Sequence, residues 1–299
     1  MQSPVSKGSR GRQKLTRTLF LTPFMLPLLL FWVIPLLVGL GISFTNWDYI
    51  SPTADLVGLE NYVAILSSSE LLQALKNTVV FGVGTIAPTI VLGLFFALLV
   101  RQQFSASKLY QRIIFSPWIT PAVAVSLVWS WIYEPDRGFA NFVLELFGIS
   151  PLQWLQSSET AMLGIIIFTV WKSIGWTMLF YIGALERVPK GILEAARMDG
   201  AGFFSRLFRI TIPLISPTTY FLVIINLIAS IQAYDQIQIM TQGGPGGATT
   251  TLLYLYYDKA FQNFQMGAAT VVAMLILVIT VALSLLSTYL GRDLVHYES

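Results

Sequence analysis

Long apolar runs separated by short polar segments set the first expectation. Six stretches have the roughly 20 residues that a helix needs to cross about 30 Å of hydrocarbon. They are Leu19 to Phe44, Asn77 to Val100, Ile113 to Tyr133, Ala161 to Leu185, Ile212 to Ile231, and Gly267 to Leu290. None alternates apolar with polar residues as a lipid-facing barrel strand would. In hydrocarbon the backbone must satisfy its own hydrogen bonds. The pattern therefore predicts an all-α integral membrane protein with six transmembrane helices. Pro117 and Pro121 lie near the start of the third run. A proline inside a helix removes a donor and crowds the preceding turn, so a kink is expected there. The first run follows a basic tail, as a signal peptide would. It exceeds the usual apolar core of about 7–15 residues, and no A-x-A-like site follows, so a retained span is expected. The organisation is then a basic tail over 1–18, a six-span domain over 19–290 with a loop at 186–213, and a second tail over 291–299.

Composition supports a lipid solvent. The 299 residues are 55% hydrophobic and 11% charged, against about 25% charged in soluble domains. There is no Cys and a single His, His296. Disulfides, thiolate metal sites and any site needing two imidazoles are excluded, and no catalytic or metal-ligating set is predicted. The 18 Lys and Arg are unevenly spread. Five precede the first run, three follow the second, five follow the fourth and one, Arg292, follows the sixth. Only Lys76, Arg137 and Lys259 fall on the other side, and Lys172 lies inside the fourth run. The positive-inside rule then places both termini in the cytoplasm. The basic tail has no interleaved aromatics and runs straight into a span, so nucleic acid is not an expected partner. Trp47, Trp129, Trp131 and Tyr133 sit at expected outer ends and Trp118 near an inner one, where an aromatic belt anchors a protein in lipid.

The loop after the fourth run reads as two short helices around a glycine. Pro189 suits a helix start, residues 190–199 are mostly good helix formers, and Gly200 suits the left-handed position that ends a helix. Phe203, Phe204, Leu207 and Ile210 follow at helical spacing. Two readings remain: an amphipathic hairpin lying on the bilayer, or a docking helix for a cytoplasmic partner, with small Ala195 and Ala196 allowing close approach.

Glu194-Ala195-Ala196, three residues, Gly200, nine residues, then Ile210-x-Ile212-Pro213 resembles the EAA loop of permease subunits of binding-protein-dependent ABC importers. Ile212 stands where that pattern usually has Leu. The string through Asp199-Gly200-Ala201 and Pro213 to Pro217 is similar to the carbohydrate-uptake branch, the maltose and glycerol-3-phosphate type. So are Trp129-Ser130-Trp131-Ile132-Tyr133-Glu134-Pro135 and the segment from Tyr234-Asp235 to Gly243-Gly244-Pro245. The resemblance implies a bacterial or archaeal inner-membrane protein. It implies a heterodimer with a second, similar permease, two cytoplasmic ATPase subunits that hold ATP and Mg, and an extracytoplasmic solute-binding protein. It assigns ATPase coupling to Glu194, Ala195, Ala196 and Gly200, with Arg197 and Asp199 as adjacent candidates. No cofactor is expected on this chain. It contains no G-x-x-x-x-G-K-[ST] phosphate cradle, so nucleotide energy must enter from another polypeptide.

Polar groups inside a span suggest function. Thr169, Lys172, Ser173 and Trp176 share one helical face of the fourth run, and Thr219, Asn226 and Ser230 share a face of the fifth. Facing each other they would line a wet passage in which Trp176 stacks on a sugar and hydroxyls and amides bond its hydroxyls. The alternative is that these groups bond neighbouring helices. Lys172 would suit a hydroxyl cluster or a phosphate. The glycine-rich segment 243–247 most simply means flexibility. The resemblance adds an external gate or receptor contact near Tyr234, Asp235, Gly243, Gly244 and Pro245. A gradient-driven carrier or channel, and a membrane enzyme using acid pairs such as Asp235 with Asp258 or Glu134 with Asp136, are the competing functions. The solute is not legible, nor is whether this permease or its partner binds it.

Overall fold

The computed structural model describes residues 20–101 and 106–294. The expected tail over 1–18 and the final residues 295–299 lie outside the described residues. Thirteen helices are used below. Helix α1 is Phe20–Ile42, α2 Glu60–Leu66 and α3 Ser69–Val100. Helix α4 is Ser107–Ile119, α5 Ala122–Ile132 and α6 Phe139–Leu146. Helix α7 is Ala161–Arg187, α8 Lys190–Met198 and α9 Phe203–Leu214. Helix α10 is Ser216–Ile231, α11 Asp235–Met240, α12 Leu252–Tyr257 and α13 Met266–Leu294. The described residues contain no strand, only an isolated bridge between Thr45 and Leu56.

Four helices, α1, α3, α7 and α13, are long and apolar enough to cross a membrane singly. Two further spans are bent pairs: α4 and α5 meet at 100°, and α9 and α10 at 67°. The kink expected in the third run is thus a full break, at Ser116-Pro117 through Pro121. Pro121 lacks the N–H that would continue α4, and Thr120 is extended at ψ 136. The fifth run also differs from expectation. The second helix of the hairpin does not stop before Ile212 but runs to Leu214, turns at Ile215 and continues as α10. Pro217 occupies an early position of α10, where a missing N–H costs least, and Pro213 lies next to the end of α9, just before the turn. The second run starts earlier than hydropathy indicates, because Ser68 caps α3 by accepting from the Leu71 amide.

Helices α3 and α7 form the most extensive pairing. Small residues make it possible: a Cβ on Gly93 would come within 2.5 Å of the Thr177 side chain. Ala97, Met178, Tyr181, Leu185, Ile215 and Leu222 fill the core towards the basic end of the bundle. Leu71, Leu252, Leu255, Val271 and Val272 fill it at the other end. Helix α1 stands apart, with Phe20, Phe24, Phe31 and Trp32 all more than two-thirds exposed. In water each such ring would forfeit roughly 1.5–3 kcal/mol of available burial; in lipid it would not.

The aromatic belt is only partly as expected. Trp131 is exposed, as an anchor would be. Tyr133 is not: it is buried, stacks on Trp154 and donates its hydroxyl to the Gly164 carbonyl. Trp129 lies in a ring cluster with Tyr133, Phe168 and Trp171. Trp118 sits at the α4–α5 break, stacked on Trp176 at 5.1 Å. Ring–ring packing gives these side chains more than a headgroup contact would.

Candidate functional site

Helices α3, α7, α10 and α11 and the α4–α5 break surround a cavity of about 430 Å³. Thr169, Lys172 and Ser173 reach it from α7, Asn226 and Ser230 from α10, and Tyr234 and Asp235 from the start of α11. The two stripes read from the sequence therefore do face one another. Two expected members are absent from the lining. Trp176 is turned onto Trp118 and Phe180, so Trp118 presents the ring to the cavity instead. Thr219 lies about two helical turns beyond Asn226 and accepts from the Tyr181 hydroxyl at 3.1 Å. Thr85 and Thr89 of α3, and Gln232 and Gln236, also line the space and were missed. The two threonines are spaced i, i+4, which places them on one face; that signal was present in the sequence but hidden within a strongly apolar run.

The hydroxyls and the amide bond largely within their own helices. Thr169 donates to Ile165, Asn226 to Leu222 and Ser230 to Leu227. Such back-bonds satisfy donors without fixing a partner helix and leave oxygen lone pairs available to the cavity.

Lys172 is differently engaged. Its Nζ donates to the main-chain carbonyls of Pro117 at 2.9 Å, Trp118 at 3.3 Å and Thr120 at 2.7 Å. These are carbonyls that a helix end leaves without intrahelical partners. An ammonium has three donors, and here all three go to the break. A cation at a helix C-terminus also opposes the partial negative charge there. The sequence showed a lysine at mid-span but not this partner, because the contact spans more than 50 residues.

At one end of the bundle a cleft of about 910 Å³ is lined by Glu70, Lys76, Asn77, Gly243, Gly244, Gly247, Tyr254 and Asp258. The glycine segment beside it is held by specific bonds. Asn77 Nδ2 donates to the carbonyls of Gly247 and Thr250 at 2.8 and 2.9 Å. Thr249 and Thr250 hydroxyls donate to Gly244 and Gly243. Gly243 has φ +76, and a Cβ there would come within 2.5 Å of the Tyr254 ring. Its glycine therefore serves a left-handed turn at a close approach, and the expectation of flexibility is corrected. Pro245 belongs to the same turn, its carbonyl accepting from the Ala248 amide, but is not among the cleft lining. Tyr234 packs against Tyr254 and Tyr257. Burial, followed by the neighbouring Tyr257 hydroxyl, pushes the Tyr234 hydroxyl up to about 12, so it stays neutral.

At the opposite end, α8 carries Glu194, Ala195, Ala196 and Arg197, with Asp199 at its C-cap. Gly200 follows at φ +80. The Gly200 amide donates to Arg197 and the Ala201 amide to Ala196, which is the Schellman pattern of helix termination. Glu194, Ala195, Arg197, Asp199 and Gly200 are exposed and Ala196 half-buried. Leu193, Glu194 and Arg197 border a hollow of about 270 Å³ with Arg101, Phe203, Arg206 and Thr211. Arg101 and Arg206 were not singled out in the sequence.

A multi-span helical bundle with a polar cavity at a broken span, and an exposed amphipathic hairpin at one end, is the architecture of a membrane permease. Residues 89–296 match the family described as "Binding-protein-dependent transport system inner membrane component", and the chain belongs to it. It is 32% identical over 284 residues to the sn-glycerol-3-phosphate transport system permease protein UgpA of Salmonella typhimurium, covering 94% of this chain and 95% of the relative. It is 30% identical over 292 residues to the trehalose/maltose transport system permease protein MalF of Thermococcus litoralis, covering 98% and 99%. Its fold matches, at a TM-score of 0.80 and 22% identity, a chain in the crystal structure of a bacterial ABC transporter that imports the acidic polysaccharide alginate, covering 95% of this chain and 99% of that one. The chain is thus a multi-pass inner-membrane transport subunit of an ABC importer, not an enzyme.

Proposed function

We propose that this permease forms the passage for a sugar or sugar-like solute through the cavity between α3, α7 and α10. The solute arrives from an extracytoplasmic binding protein. A second, similar permease completes the passage, and two ATPase subunits holding ATP and Mg drive it from the cytoplasm. Both termini and the 186–213 hairpin are cytoplasmic, consistent with the charge asymmetry of the loops. Glu194, Ala195, Ala196 and Gly200 form the ATPase contact, flanked by Arg197 and Asp199. Thr169, Lys172, Ser173, Asn226 and Ser230 border the solute path, with Trp176 behind Trp118. Tyr234, Asp235, Gly243, Gly244 and Pro245 belong to the external gate and receptor face.

The observation that carries this reading is the hairpin. An exposed helix ending in a Schellman turn at Gly200, with small Ala195 and Ala196, suits insertion into a partner cleft. The chain has no Cys, so a single Met198→Cys, at a position 88% exposed, can be labelled cleanly. A membrane-impermeant maleimide should label it in inverted vesicles and not in intact cells. Adding back the ATPase subunits to stripped vesicles should protect it. Labelling in intact cells would overturn the assignment.

A further inference from the structure

The relatives named above divide by solute charge, and the cavity bears on which side this chain falls. Among the residues lining it, only Lys172 and Asp235 carry a formal charge. Lys172 is the sole positive group with which a phosphate or carboxylate could pair. Its three donors are already directed at Pro117, Trp118 and Thr120. An anion could recruit it only by drawing the ammonium off those carbonyls. That exchange forfeits charge-assisted bonds, of which water in the cavity could replace only some. The end of α4 also carries about half a negative charge, which offsets part of the lysine's positive one.

Asp235 adds a full carboxylate at the mouth of the same space. It has no ion-pair partner among the described residues, where the one salt bridge joins Lys259 to Glu70. The lining therefore has no net positive charge to offer. Its remaining polar groups are hydroxyls and amides, set beside apolar groups that include the partly exposed Trp118 ring. Hydroxyl and amide oxygens accept from sugar hydroxyls, and an indole face stacks on the C–H face of a pyranose.

We infer that the solute admitted by this cavity is an uncharged polyhydroxy compound and that Lys172 is a positioning residue, which fixes the α4–α5 break and the Trp118 ring and does not receive an anion. The inference rests on the cavity being the solute path.

The test uses the intact importer, with its partner permease and ATPases, in nanodiscs without the solute-binding protein, so that the receptor does not filter the ligands. The probes are pairs that differ by one phosphate: glycerol and glycerol 3-phosphate, glucose and glucose 6-phosphate, maltose and maltose 1-phosphate. The readout is the change in tryptophan emission that is lost in a Trp118→Phe variant. At least one neutral member should titrate that signal at a concentration about tenfold or more below its phosphorylated counterpart, because a lining with no net positive charge does not offset the desolvation of a phosphate. Asp235→Asn should narrow the gap. Lys172→Met should weaken the neutral members as well as the phosphorylated ones, and Lys172→Arg should restore them.

If the phosphorylated member binds as tightly or more tightly, and Lys172→Met removes that advantage alone, Lys172 is an anion receptor and the inference falls, while the permease path stands. If no member of any pair produces a Trp118-dependent change, the cavity is not the solute site, and the path assignment falls together with the inference.

Discussion

Gly175 offers a direct measurement of how tightly the broken span is set against α7. A Cβ on this residue would lie 2.2 Å from the Ile114 carbonyl oxygen and 2.6 Å from the Phe115 Cα. Both are backbone atoms, so no side-chain rotation relieves the clash. To restore ordinary contact near 3.5 Å, α4 would have to back away from α7 by roughly 1 Å. Overpacking of that kind typically costs about 1–3 kcal/mol. The displacement falls just before the break, because Ile114 and Phe115 lie within three residues of Pro117 in the chain. The Lys172 bonds to Pro117, Trp118 and Thr120 would stretch with it. Gly175→Ala should therefore lower the temperature of half-inactivation and reduce uptake together. Gly84→Ala is the internal control. Its nearest neighbours all belong to the Ile166 side chain, whose terminal Cδ1 lies at 2.7 Å, so the milder outcome is expected there. The assay is thermal inactivation of the detergent-purified complex, with uptake measured in proteoliposomes. A Gly175→Ala complex as stable and active as Gly84→Ala would refute the reasoning.

Other substitutions separate local from global effects. Asn77→Ala removes both donors to the Gly247 and Thr250 carbonyls, at about 1–3 kcal/mol for carbonyls left unpaired; hydrogen exchange over 242–250 should speed up while the α3–α7 core stays protected. Gly200→Ala meets no atom within 4 Å but must adopt φ +80, at roughly 1–2 kcal/mol; ATPase recruitment to the solubilised permease should fall while membrane insertion is unchanged. Glu70→Gln breaks the 2.6 Å contact with Lys259, but Glu70 is more than half exposed, so thermal stability should change by less than about 1 kcal/mol.

The spans were legible because hydropathy is a local property of the chain. The hairpin was legible for a similar reason: Pro189 and Gly200 are local stop and start signals with fixed backbone demands. Helical periodicity put Thr169 with Ser173 and Asn226 with Ser230 on single faces; that the two faces meet is a matter of packing. The failures share a different character. The role of Lys172 depends on carbonyls of a proline-broken helix more than 50 residues earlier. Trp118 read as a lipid anchor because nothing local announces its stack on Trp176. The 243–247 turn read as flexible because Asn77, about 170 residues away, supplies the donors that hold it. Glycine content reports what the backbone is free to do, and a distant side chain decides what it does.

The two bent spans solve the same problem in opposite ways, and the difference is testable. A break inside a membrane exposes backbone groups that lipid cannot satisfy. At the α9–α10 bend the backbone closes its own bonds: the Ile215 amide donates to Thr211, and the Thr218 and Thr219 amides to Ile215. The Thr219 hydroxyl only adds a further bond to the Ile215 carbonyl, at 3.3 Å. At the α4–α5 break a side chain does the closing, because Pro121 has no amide to offer and Thr120 is already extended. Tyr181→Phe removes the bond to the Thr219 hydroxyl but leaves the backbone bonds and the Thr219 bond to the Ile215 carbonyl intact, so about 1 kcal/mol should be lost. Lys172→Met removes a charged donor from three carbonyls at once. Bonds to charged groups contribute about 1.5–3 kcal/mol each, but they are not additive, and the cavity is large and polar enough for water to take over some of them. A net loss of about 2–4 kcal/mol is expected. Half-inactivation temperatures of the two variants, measured side by side, should differ clearly and in that order. Equal values would mean that the lysine does not hold the break and that the α4–α5 bend stands on its own backbone.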